Sequence, residues 1–148
     1  MSTGICLDAS IVAKLILVEA DSNQAEALMQ HIQGTRDPLV SPFHLPAEVT
    51  SAVYKRLRDG STTLEEATQA LNDLAMIPLH LSHPEGITQR ALGIATQLGL
   101  KYPYDAFYLA LGELLNCDVW TADRALYAAA HTTFARLRLL SNYGADQG

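Results

Sequence analysis

Basic side chains are scarce in this chain, cysteines scarcer, and no hydrophobic run is long. Lys and Arg number ten against sixteen Asp and Glu, a formal net charge of −6. That balance excludes diffuse electrostatic attraction to nucleic acid, which rests on neutralising many phosphates. Any such contact has to be local, through metal and a few cations. The only cysteines are Cys6 and Cys117, without CxxC spacing. Neither a disulfide framework nor a thiolate metal knuckle is expected, and both read as small buried residues. No segment approaches the roughly 20 apolar residues that cross a bilayer. Met1 to Gly4 carry no basic region, long apolar core or cleavage site of a signal peptide, so the expected address is cytoplasmic. The GxxxxGK(S/T), GxGxxG and GxSxG patterns are absent as well, which leaves P-loop hydrolysis, dinucleotide redox chemistry and serine acyl transfer without support.

What is present is a chain of 148 residues, the length of one domain (expected over 1–148), able to bury roughly 70% of its unfolded surface. Charged residues make up 18% and hydrophobic ones 49%, against a typical charged share of about 25%. Apolar surface patches are expected, covered by a homodimer partner or another protein. Short apolar runs alternate with longer amphipathic stretches. Strands are expected at Ile5 to Asp8, Leu39 to Ser41, Ile77 to Leu81, Asp118 to Thr121 and Arg138 to Leu140. Helices are expected at Ser10 to Val18, Ser22 to Gln33, His44 to Arg58, Leu64 to Ala75, Pro84 to Leu98, Tyr104 to Leu115 and Asp123 to His131. That alternation calls for an α/β fold with a parallel, doubly wound sheet of about five strands.

Four acids stand out in this frame. Asp8 and Asp123 directly follow strands, Glu48 lies early in the helix after Leu39 to Ser41, and Asp105 opens the helix leading into Asp118 to Thr121. All four should reach the edge formed by the carboxyl ends of the strands, where open α/β sheets bind ligands. Singly, each has an ordinary explanation. Asp8, Ser10 and Asp123 are good helix caps, and Glu48 suits the positive end of a helix dipole. Asp105 is harder to explain, because its helix is apolar nearly all round and Lys101 is the one cation within a turn. A buried carboxylate there needs a partner. Four carboxylates on one edge repel one another unless a divalent cation neutralises them, and an all-oxygen set suits Mg²⁺ or Mn²⁺. Ser10 and Thr121 place hydroxyls beside two of the acids, as caps or as groups that position a water or a phosphate oxygen.

The segments Leu7-Asp8-Ala9-Ser10-Ile11-Val12-Ala13-Lys14, Leu45-Pro46-Ala47-Glu48-Val49, Tyr104-Asp105-Ala106-Phe107-Tyr108 and Trp120-Thr121-Ala122-Asp123-Arg124 resemble, in order and spacing, the PIN-domain nucleases and specifically VapC-type toxins of toxin–antitoxin modules. The resemblance covers Ile5 to Leu140. It implies a three-layer α/β/α fold, usually dimeric, and an endoribonuclease dependent on Mg²⁺ or Mn²⁺. Asp8, Glu48, Asp105 and Asp123 would be its catalytic, metal-binding quartet, with Ser10 and Thr121 as helpers. It further implies an RNA substrate and a cognate antitoxin that inserts into the active-site groove. An RNA-processing PIN nuclease without an antitoxin would share the quartet. A non-catalytic protein-binding module, its acids serving as caps, is the alternative from another class.

Several residues are set aside. Lys14 and Arg124 could contact RNA phosphates, but a solvated surface role is favoured for each. His80 and His83 read as loop histidines at a strand end, and His31 and His44 have no partner by spacing. Tyr102, Tyr104, Phe107 and Tyr108 read as core or dimer interface rather than a base-stacking platform.

Overall fold

The computed structural model describes residues 4–144. β1 (Ile5–Leu7) lies at the centre of a five-stranded sheet with β2 (Leu39–Pro42) and β4 (Asp118–Thr121) as its parallel neighbours, Cys6 facing Val40 on one side and Val119 on the other. β3 (Leu79–Ser82) and β5 (Leu137–Leu139) form the edges, giving the order β3-β2-β1-β4-β5, parallel throughout. A parallel sheet needs both faces covered. Among the described residues seven helices do this: α1 (Ala9–Ile16), α2 (Ser22–Thr35), α3 (Leu45–Arg58), α4 (Leu64–Met76), α5 (Ile87–Leu98), α6 (Tyr104–Leu115) and α7 (Arg124–Ala130). The architecture is three-layered, α/β/α.

The helices start where the local chemistry allows. Asp8 caps α1 through bonds from the backbone N–H groups of Ser10 and Ile11, and Thr63 with Glu66 forms a reciprocal capping box on α4. The main core joins the central strands to α1, α2, α5, α6, α7 and the start of α3, with Leu7, Ile11, Leu45, Ile94 and Leu111 at or below 1% exposure. A second cluster of Ala13, Leu17, Val53, Ala67 and Ala70 welds α1 to α3 and α4. Small residues permit that close approach. Gly112 does the same for α6 on β4, since a Cβ there would overlap Val119 Cγ2 and sit 3.2 Å from the carbonyl oxygen of Cys117. Cys6 and Cys117 are free, fully buried thiols, as their apolar setting suggests. No helix among the described residues is long and apolar enough to cross a membrane.

The order and type of the elements follow the hydrophobic periodicity, and the differences lie at their ends. α1 stops at Ile16 because Leu17 turns extended, leaving Val18 in water. β3 begins at Leu79 rather than Ile77, which is spent as the extended cap of α4 ahead of Pro78. α5 begins at Ile87, after a turn over Pro84 and a left-handed Gly86. β5 ends at Leu139 because Leu140 opens a 3-10 turn. His80 lies inside β3, exposed, instead of in the loop expected for it; His83 follows the strand and stacks on Phe43.

Candidate functional site

From β1 the chain winds outward to β2 and β3, whereas β4 and β5 lie on its other side, so the connections part between β1 and β4. That crevice is the switch point at which open α/β sheets take ligands, and Asp8 and Asp123 flank it at the ends of β1 and β4. The Asp8 backbone N–H extends the ladder by donating to the Trp120 carbonyl at 3.1 Å. A cleft of about 370 Å³ opens here, lined in part by Ser10, Lys14, Glu19, Glu48 and Asp123.

A hydroxyl network ties the two strand ends together. Ser10 Oγ donates to Asp8 Oδ1 and accepts from the Ala122 N–H at 2.8 Å, and it lies 3.4 Å from Thr121 Oγ1, which accepts the Asp123 N–H at 3.0 Å. Both hydroxyls expected to help the site are therefore in it, and Thr121 is fully buried. Ser10→Ala would leave the Ala122 N–H unsatisfied and remove a donor from a buried carboxylate. Losing such a group costs about 1–3 kcal/mol, and urea denaturation should show a loss of that order. An unchanged midpoint would mean that water replaces the hydroxyl.

The four carboxylates occupy one end of the sheet and differ in how they are held. Asp8 is 4% exposed, and burial lifts its pKa from 3.8 to about 6 although Ser10, Thr121 and Ile11 donate to it; the charge of Asp105 adds to the rise. The bonds from Ser10 and the Ile11 N–H all fall on Oδ1. Asp123 is likewise a cap, its Oδ1 accepting from the N–H groups of Ala125 at 2.9 Å and Leu126 at 3.0 Å. Glu48 Oε1 receives the buried Tyr108 hydroxyl at 2.8 Å, and His44 Nε2 stands at the same distance. The His44 contact is a close approach rather than an aligned hydrogen bond, since that nitrogen has no hydrogen-bond partner of acceptable geometry among the described residues. Asp105, half-buried on the first turn of α6, makes no hydrogen bond or ion pair among the described residues. Burial raises its pKa first, then the charges of Glu48 and Asp123, with His44 opposing.

Asp105 thus feels all three other acids across the site, yet no three His, Cys, Asp or Glu groups among the described residues already form a closed metal-binding cluster. The donor chemistry nonetheless fits a hard divalent cation. Every candidate ligand atom is a carboxylate oxygen, Asp105 makes no hydrogen bond or ion pair among the described residues, and the hydrogen bonds that fix Glu48 and Asp123 occupy a single oxygen of each.

Three residues behave differently from what the sequence suggests. His44 does have a partner by spacing, Glu48 four residues on, and packs its ring against Tyr104, Phe107 and Tyr108. Lys14 is not a solvated surface lysine. Its side chain is 14% exposed, in the cleft, with Nζ 2.9 Å from Glu19 and 4.0 Å from Asp21. Ser41, fully buried at the end of β2, is signalled in the sequence only by a hydroxyl inside an apolar strand; it donates to the Leu7 carbonyl at 2.6 Å and pins β2 beside Asp8. Arg124 is exposed, as expected. The tyrosine stripe divides, with Tyr108 in the core and Tyr102 and Tyr104 more than half exposed.

The backbone superposes on solved structures of low sequence identity. PAE2754 from Pyrobaculum aerophilum matches with a TM-score of 0.64 at 22% identity, over 87% of each chain. A toxin–antitoxin complex from Klebsiella pneumoniae gives 0.64 at 14%, over 93% of this chain and 98% of that one. VapC20 of Mycobacterium tuberculosis, a Sarcin-Ricin loop cleaving toxin, gives 0.64 at 16%, over 86% and 95%. No protein of curated function matches the sequence. The PIN domain family model matches residues 5–132, the span that holds all four acids and both hydroxyls, and the chain belongs to that family.

Proposed function

We propose that this protein is a VapC-like toxin, an endoribonuclease that hydrolyses RNA phosphodiester bonds with Mg²⁺ or Mn²⁺ held by Asp8, Glu48, Asp105 and Asp123. The carrying observation is Asp105, a half-buried carboxylate that makes no hydrogen bond or ion pair among the described residues and whose pKa is raised by burial and then by the carboxylates around it, His44 opposing only in part. A fold keeps such a group at a cost unless a ligand neutralises it. When bound, the ion lowers the pKa of a water and stabilises charge on the scissile phosphate during in-line attack. The chain's own parts do the rest. Tyr108 and His44 orient Glu48, the caps of α1 and α7 fix Asp8 and Asp123, and Ser10 with Thr121 holds the two strand ends in register.

The same reading supplies an antitoxin partner, a homodimer and a cytoplasmic location. Exposed aromatic side chains at Phe43, Tyr102 and Tyr104 support a protein partner. So does the fold shared with a chain from a toxin–antitoxin complex. The test is cleavage of RNA by the purified protein with Mg²⁺ or Mn²⁺ and with a chelator. Metal-dependent cleavage that Asp8→Asn abolishes is expected. Asn is the right probe because it keeps an acceptor for the α1 cap. Cleavage surviving chelation and Asp8→Asn would remove the quartet from the reaction, and absence of cleavage would return the fold to a binding module.

A further inference from the structure

The chain carries ten basic side chains, and half of them are spent on ion pairs. Lys14, Arg56, Arg90, Arg136 and Arg138 each lie within 4.0 Å of a carboxylate. Two of the others, Lys55 and Arg58, are neighbours on one helix face. Glu48, Ser51, Lys55 and Arg58 recur on α3 at three- and four-residue steps, so they form one stripe. At about 1.5 Å per residue, Lys55 lies about 10 Å along the helix from Glu48 and Arg58 about 15 Å. Leu45, Val49 and Val53 hold the opposite face in the core, which fixes the stripe outward.

Ser51, Tyr54, Lys55, Arg58 and Asp59 line a groove of about 550 Å³. Tyr54 is 57% exposed beside the two cations. Asp59 does not neutralise them by contact. Its Oδ1 takes both the N–H and the hydroxyl of Ser61, which hold its pKa low, and neither cation pairs with it within 4.0 Å. The groove therefore combines two cations that make no ion pair within 4.0 Å among the described residues, although the charge of Lys55 reaches Asp59, with an accessible aromatic face, on the helix whose first turn supplies a carboxylate to the acidic cleft.

Resting on the nuclease reading of that cleft, we infer that the Tyr54, Lys55 and Arg58 face of α3 is the track for the single-stranded RNA flanking the scissile phosphate. Lys55 and Arg58 contact phosphates, and Tyr54 stacks a base. Single-stranded nucleic acid is recognised by this pairing of backbone cations with aromatic platforms. An acidic peptide would use the charges but give Tyr54 no flat partner. The track also supplies the local contact that a chain of net charge −6 requires.

The experiment measures binding of a labelled, unstructured RNA oligonucleotide to the full chain in EDTA, across a salt series, with cleavage in Mn²⁺ followed separately. The Lys55→Ala/Arg58→Ala double variant should bind on the order of ten-fold more weakly. Its log K against log salt slope should shrink by about 1.4, because each single-strand phosphate contact contributes about 0.7. Tyr54→Ala should lose roughly 5- to 150-fold in affinity with the slope unchanged. In cleavage, all three changes should raise KM and leave kcat in place, since none touches the quartet. Arg36→Ala, at the cap that follows α2, controls for the loss of one positive charge away from α3.

Equal loss in Arg36→Ala, an unchanged slope in the double variant, or no binding by the unaltered protein would each overturn the track. A protein that binds RNA with the expected slope losses but cleaves nothing in Mn²⁺ would defeat the nuclease reading and leave the track standing.

Discussion

Asp105→Asn is expected to abolish RNA cleavage and at the same time make the protein more stable. The two effects have one cause. Asp105 sits half-buried at the start of an apolar helix, takes no hydrogen bond among the described residues, and has its pKa raised by burial and by Glu48 and Asp123. Its negative charge therefore costs folding free energy whenever no cation is bound. Asn keeps the shape and removes the charge, so the metal-free protein should gain about 0.5–1 kcal/mol. For a chain of this length that is a rise of roughly 1–4 °C in Tm. Removing one group that stabilises transition-state charge typically lowers kcat by about 10²- to 10³-fold, and a lost metal ligand belongs at or beyond the upper end. Thermal melts in EDTA and single-turnover cleavage in Mn²⁺ make the paired test. A less stable variant would mean that Asp105 has a structural partner; full activity would take it out of the site.

Adding Mn²⁺ should invert the order of stability. If the ion binds as proposed, the unaltered protein gains from neutralising four repelling carboxylates, whereas Asp105→Asn would have less repulsion to relieve and one proposed ligand fewer. A ledger of this kind separates a ligand from a cap. Ala in place of a capping Asp loses about 1 kcal/mol with or without metal, while a ligand changes sign with it.

The sequence displayed the order of elements and the edge on which the acids gather, because both follow from long-range regularities. Apolar periodicity distinguishes strands from helices, and in a parallel sheet a residue directly after a strand, such as Asp8 or Asp123, must stand at the carboxyl edge. Element ends were less legible. Ile77 and Pro84 look like strand and helix residues by hydropathy, but a cap and a left-handed glycine claim them. At Asp8 and Asp123 the capping and ligand readings looked like rivals in the sequence and are compatible in space. One carboxylate oxygen takes the cap bonds of Asp123 and leaves the other available, a distinction that no string of letters contains. The contact of His44 is hidden in the sequence for a different reason. Its partner lies at ordinary helical spacing, yet His44 precedes the helix, where side-chain direction depends on the turn that leads in. The environment of Lys14 was set by Glu19 and Asp21 in the irregular segment after α1, which carries no periodic signal.

The pH dependence of stability and of metal binding should both turn on Asp8. Its carboxyl titrates near 6 in the folded protein against 3.8 when unperturbed, chiefly because it is buried. A raised acid pKa means that the folded state holds the proton more tightly than the unfolded chain does. The contribution is therefore fully present below about pH 3.8 and is lost as pH rises through 6. At about 1.4 kcal/mol per pH unit this amounts to about 3 kcal/mol in the metal-free protein. Asp105 acts in the same direction, so the contribution of Asp8 is read as the difference between the unaltered protein and Asp8→Asn, which holds a neutral group at every pH. That difference should open between pH 4 and about 6.5 and stay constant above.

With a divalent cation the sign reverses. Binding requires the carboxylate, so it must displace the proton, and the Mn²⁺ affinity should fall by up to about ten-fold per pH unit below 6. Melting curves across pH, with Mn²⁺ and with EDTA, therefore make a crossed test: in EDTA the protein loses stability on going from pH 5 to 7, and in Mn²⁺ it regains it. If Asp8→Asn shows the same two curves, the buried acid at the end of β1 is neither the group that titrates nor one that meets the ion.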